Sequence, residues 1–145
     1  MPLFADPEWC FELMVPGRPA PQGSKRHVGG GVMVESSKAV GAWRELVAYS
    51  VARSWHIAPL DGPVRVRLSF VMPRPVATPK RRTPPAIKKP DVDKLGRAML
   101  DALTGVCWRD DSQVVELHAT KRLAELDEIP GALIQIGRFE IGKAA

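Results

Sequence analysis

Residues 64 to 72, VRVRLSFVM, put Val64, Val66, Leu68 and Phe70 on one side of the chain and Arg65 and Arg67 on the other. That period of two predicts a strand with one buried face. From Ser37 to about Trp55 the period changes: Val40, Trp43, Leu46, Val47, Ser50 and Val51 recur at three- and four-residue spacing. This pattern predicts an amphipathic helix with Ser36 or Ser37 as N-cap and its tryptophans in the core. DVDKLGRAMLDALTG predicts a second helix, set between Pro90 and Gly105, that buries Leu95, Met99, Leu100 and Leu103. Shorter apolar runs at FELMVPG (11 to 17), VMVE (32 to 35), SQVVELHATKRL (112 to 123) and ALIQIGRFEI (132 to 141) read as strands. The order β-β-α-β-α-β-β predicts an α+β fold, a small mixed sheet with two main helices. Residues 1 to 145 show no internal repeat or linker and read as a single domain.

Composition narrows the class. An apolar share of 45% is ordinary for a globular chain, and no run approaches the roughly 18 apolar residues that suggest a membrane span. MPLFADPEWCFEL lacks the basic start of a signal peptide, so a cytoplasmic protein with no membrane partner is expected. Cys10 and Cys107 have apolar neighbours and read as two buried thiols. His27, His56 and His118 are scattered and form no zinc spacing with them.

Net charge is +5 with a pI near 9.6, a balance that favours polyanions. Its distribution is more telling. Arg74, Lys80, Arg81, Arg82, Lys88 and Lys89 follow one another with no acid among them, interleaved with Pro73, Pro75, Pro79, Pro84, Pro85 and Pro90. Prolines at that density exclude a helix or central strand, so residues 73 to 90 read as an extended, solvated basic loop. The loop contains no aromatic side chain, which weighs against base stacking as its mode of binding.

This loop ends on Asp91 and Asp93, at the start of the second helix. Acids in a first turn complement the helix dipole by about 0.3–1 kcal/mol each, so the pair alone is compatible with a structural role. A second pair, Asp110 and Asp111, stands in WRDDSQ, ahead of a strand that runs back along the helix. Whether the two pairs meet depends on where strand and helix cross, and the sequence leaves both outcomes open. Carboxylates brought within about 4 Å repel strongly, and a hard cation such as Mg²⁺ relieves that repulsion through oxygen ligation. Asp93, Arg97 and Asp101 share one face at i, i+4 and i+8. In a nuclease, Lys94 and Arg97 would meet the scissile phosphate. Lys80, Arg81, Arg82, Lys88 and Lys89 would track neighbouring phosphates with a strong salt dependence.

Residues 89 to 114, KPDVDKLGRAMLDALTGVCWRDDSQV, resemble the RusA family of Holliday-junction resolvases, whose signature runs roughly P-D-x-D-N-L-x-K-x-x-x-D-A-L followed by W-x-D-D-x-Q. VPGRPAPQGSKR is similar to that family's N-terminal strand and basic loop. The resemblance implies a homodimeric endonuclease, dependent on Mg²⁺ with Mn²⁺ as substitute, that makes paired nicks in a four-way DNA junction during recombination and repair. It implies Asp91, Asp93 and Asp111 as the metal-binding, catalytic aspartates and gives Asp101 and Asp110 supporting positions. The family's lysine falls on Arg97 and its asparagine on Lys94. Arginine holds its proton far above neutral pH, so Arg97 is expected to stabilise charge rather than donate a proton. Two other readings stand beside this one: a metal nuclease for flaps or forks, and a non-catalytic nucleic-acid-binding protein whose acids only start a helix.

Overall fold

A computed structural model describes residues 9–23 and 32–140, with side chains of the first helix described from Lys38 onward. The elements in chain order are β1 (Phe11–Pro16), α1 (Val32–Ser54), β2 (Val64–Met72), α2 (Val92–Leu103), a 3-10 turn (Asp111–Gln113), β3 (Val114–Leu123) and β4 (Gly131–Arg138). The strands form one sheet in the order β1-β4-β2-β3. β4 pairs antiparallel with both β1 and β2, whereas β2 and β3 are parallel because α2 carries the chain back between them. The sheet is therefore mixed, as the element order predicts.

The inward side of β2 holds Val64, Val66, Leu68 and Phe70, each at most 1% exposed. Val15, Ile134 and Ile136 extend this surface across β1 and β4. Against it pack Trp43, Val47 and Val51 of α1 and Leu95, Met99 and Leu103 of α2, in one buried cluster. The opposite side of β2 is polar: the Arg65 and Arg67 guanidinium carbons lie 4.6 and 5.3 Å from the Trp9 ring centre, and Arg65 pairs with Glu116 at 2.9 Å. No helix among the described residues is long and apolar enough to cross a membrane.

Three expectations require correction. VMVE is helical, since α1 begins at Val32 rather than near Ser37. Its four residues lie directly ahead of a strong helical pattern, and extending an existing helix avoids the nucleation cost that isolates short segments. Ser36 and Ser37 accordingly lie inside the helix. Cys10 is exposed, with its thiol 3.4 Å from the Ile136 carbonyl, whereas Cys107 is buried. Burial pushes the Cys107 thiol up to about 12.

The third correction concerns the basic loop, which is folded rather than freely extended. The Arg74 guanidinium donates to the carbonyls of Pro79 (2.6 Å), Arg82 (2.8 Å) and Ala124 (3.1 Å) and to the Thr83 hydroxyl (2.6 Å). Thr83 in turn donates to Glu125 at 2.8 Å. Arg74 therefore acts as an internal peg, and the loop curls round it. Lys25, Arg26 and His27 of the first basic loop lie outside the described residues, as does Ile141 at the end of the last predicted strand.

Candidate metal and nucleic-acid site

α2 starts where the C-terminal ends of β2 and β3 present the folded loop. The Lys121 ammonium on β3 donates to the carbonyls of Lys88 (2.7 Å) and Pro90 (2.8 Å), and the Lys89–Pro90 bond is cis. These contacts fix the chain immediately before Asp91. Sequence reasoning passes over Lys121, because a lysine at an outward strand position looks like any solvated one.

Asp91 is the N-cap of α2, with extended backbone angles, yet its carboxylate caps no helical N–H. It stands 3.7 Å from Lys94, both side chains being substantially exposed. Asp93 lies in the first turn and is exposed. The capping role that would explain Asp91 structurally is thus unfilled, leaving its oxygens available to a ligand. Arg97, one turn further on, is exposed and makes no hydrogen bond or ion pair among the described residues. Leu95, Gly96, Ala98, Met99, Ala102 and Leu103 form the buried side of the helix and set this polar face outward.

The second acidic pair is held differently. The Asp110 carboxylate accepts from the Ser112 amide at 2.9 Å, and this bond holds its carboxyl below the usual range. The Gln113 side chain closes the other half of the capping box by accepting from the Asp110 amide. Its amide nitrogen donates to the carbonyls of Leu60 and Gly62, which tethers the turn to the lead-in of β2. Asp110 is therefore a structural member of the motif, and the exposed Asp111 opens the turn it caps. Asp101 has a structural partner too, Arg44 of α1 at 3.6 Å.

The two acidic pairs do not converge within one chain. Trp108 folds back on the C-terminal end of α2, donating from its indole to Thr104 at 3.0 Å, so the turn bearing Asp111 sits at that end. The 12 residues of α2 span about 18 Å. β3 then returns along the helix and brings Lys121, not Asp111, level with Asp91. Among the described residues no group of three or more His, Cys, Asp or Glu side chains could hold a metal ion. The oxygen donors suit a hard divalent cation, but a single chain offers them in two separate parts.

Around the start of α2, Lys80, Arg81, Arg82, Lys88 and Lys89 are all exposed and make no ion pairs among the described residues. Beside Asp91 opens a cavity of about 790 Å³, bounded by the segment after β1, by α1 and by the end of β2. Gly17 permits this closure, since a Cβ there would stand 3.0 Å from both Trp43 and Leu46 at a backbone φ of +148°. Leu46, an apolar position of the predicted helix face, is 41% exposed because it lines this cavity instead of entering the core.

A protein of Bacillus subtilis (strain 168), the uncharacterised protein YqaN, is 30% identical over 127 residues, spanning 80% of this chain and 89% of YqaN. The family model for endodeoxyribonuclease RusA matches residues 16–136, which include both acidic pairs, the basic loop and the elements from the end of β1 into β4. The chain belongs to the RusA family of endodeoxyribonucleases.

Proposed function

We propose that this protein is a metal-dependent endonuclease that acts as a homodimer on four-way DNA junctions, hydrolysing one phosphodiester in each of two opposed strands. The observation that carries the reading is the start of α2. There, Asp91 and Asp93 present carboxylates that cap nothing, amid the cations Lys88, Lys89, Lys94 and Arg97. Carboxylates repel a phosphate backbone, so this juxtaposition makes chemical sense when a cation stands between the two.

Asp91, Asp93 and Asp111 would hold Mg²⁺, or Mn²⁺ in its place. When bound, the ion supplies Lewis acidity toward the phosphate and an acidified water. Because one chain sets Asp111 at the far end of α2, the reading requires Asp111 to come from a second copy, related by a two-fold axis that runs the two helices in opposite directions. The same axis yields two equivalent sites, as paired cutting of a symmetric junction demands. Arg97 stabilises the negative charge that grows on the phosphate. Lys94, paired loosely with Asp91, can turn to a non-bridging oxygen. Lys80, Arg81, Arg82, Lys88 and Lys89 orient the arms through backbone phosphates.

The test is to challenge the protein, in Mg²⁺, with labelled four-way, fork, flap and linear DNAs, alongside Asp91→Asn. Paired nicks confined to the four-way substrate are expected, and the variant should bind it without cutting. Equal cutting of linear duplex would overturn the junction reading. Preferential cutting of flaps or forks would reassign the substrate. Binding without metal-dependent cutting by the parent would make the protein a non-catalytic binder.

A further inference from the structure

The cavity beside Asp91 has a composition unlike the rest of the phosphate-tracking surface. Arg18, Lys89 and Lys94 bring positive charge to its lining, and Asp91 connects it to the candidate metal site. Between them Ala39, Ala42, Trp43 and Met72 supply an apolar wall. A phosphate-only groove has no use for that wall, whereas a nucleotide unit presents both an anion and a flat, largely apolar base. The volume of about 790 Å³ leaves room for such a unit.

The walls are fixed before any ligand arrives. The Gln22 amide donates to the Lys94 carbonyl at 3.0 Å, and Arg44 donates to the Gln22 side chain at 2.8 Å, joining the segment after β1 to both helices. Lys121 holds the Lys88 and Pro90 carbonyls on the other side.

We infer that this cavity takes the base of an unstacked nucleotide next to the scissile phosphate. The inference rests on the nuclease reading and adds a source of selectivity to it. A paired, stacked base cannot enter without the cost of extrusion, which is smallest where pairing is already disrupted, as at a branch point. The cavity thus rewards branched DNA over linear duplex at the step where the strand meets the aspartates. Cations alone do not distinguish the two.

The experiment crosses base omission with cavity filling. Four-way junctions carrying one abasic residue at successive positions flanking the branch are titrated, without divalent metal, against the parent and Ala42→Phe. Ala42 is exposed on α1, so the larger side chain projects into the cavity without entering the core. Ala39→Phe provides a second filling, and Ala52→Phe, exposed on α1 outside the cavity, a control that leaves the space open. At one position, base omission is expected to weaken parental binding about tenfold. Ala42→Phe should weaken binding of the intact junction similarly, and the combination should lose nothing further. Additive losses, or no effect of omission at any position, would overturn the inference. Mg²⁺-dependent nicking is scored separately. Nicking without coupling sinks the cavity assignment alone, and coupling without nicking sinks the nuclease reading while leaving the cavity assignment in place.

Discussion

Co-expressing Asp91→Asn chains with Asp111→Asn chains, each under its own tag, tests the proposal of a metal site shared between copies. Oxygen ligands of Mg²⁺ lie about 2.1 Å from the ion, so two carboxylates on one ion stand within about 4 Å of each other. The length of α2, about 18 Å over its 12 residues, separates Asp91 from the turn bearing Asp111 by far more than any side-chain rotation recovers. If each site draws Asp91 and Asp93 from one copy and Asp111 from the other, either homodimeric variant has both sites broken. In the mixed dimer both substitutions fall in one site and the other is whole. Random pairing makes about half the dimers mixed, so the mixture should recover about a quarter of the parental sites. Each working dimer has one such site, and its product is a junction nicked on a single strand. A denaturing gel with all four strands labelled in turn reads both quantities. A mixture as inactive as the separate variants would refute sharing, and parental activity in either homodimer would remove that aspartate from the site.

Arg74→Met should cost about 2–3 kcal/mol of unfolding free energy in urea, since it removes four hydrogen bonds from a charged donor. Its junction binding should weaken as the loop's cations lose their common orientation; unchanged stability would show that the peg is dispensable. Gly131→Ala should destabilise by about 3 kcal/mol, because the added Cβ would meet the Val15 carbonyl at 2.5 Å where β4 faces β1, and a neutral melt would contradict that packing. Glu128 accepts from Arg122 at 2.6 and 2.7 Å, and this pairing holds its carboxyl down at about 2. A depressed folded value stabilises above the ordinary carboxylate range, and that contribution disappears as pH falls through about 2. The difference in melting temperature between the parent and Glu128→Gln should therefore shrink from pH 5 to pH 2, and a constant difference would count against the pair.

The sequence makes β2 and α2 legible because each has one buried face and one solvated face, so burial writes its period directly into the residues. The same holds for the aspartates of α2, whose place at a helix start follows from Pro90 and the apolar pattern behind them. The crossing of helix and strand leaves no local trace. Its outcome was set by Trp108 and Gln113 gripping opposite neighbours, and that grip holds Asp111 away from Asp91. Arg74 and Lys121 were illegible for a related reason. A cation that donates to backbone carbonyls has the same letter as one facing solvent, and only the folded chain separates an anchor from a contact with DNA. The cavity was equally hidden, since its walls come from four segments that meet only in space.

The strand order β1-β4-β2-β3 also has a temporal meaning. β4 lies between β1 and β2, so the first strand has no place in the sheet until residues 131–138 have been synthesised. Phe11 pairs with Ile136 across most of the chain, a long loop closure that slows folding relative to local pairing. During translation the β2–α2–β3 unit can assemble early with its aspartates in place, while the segment after β1 that walls the cavity has no sheet to hang from. A nascent chain therefore carries the acidic residues before it has the cavity beside Asp91.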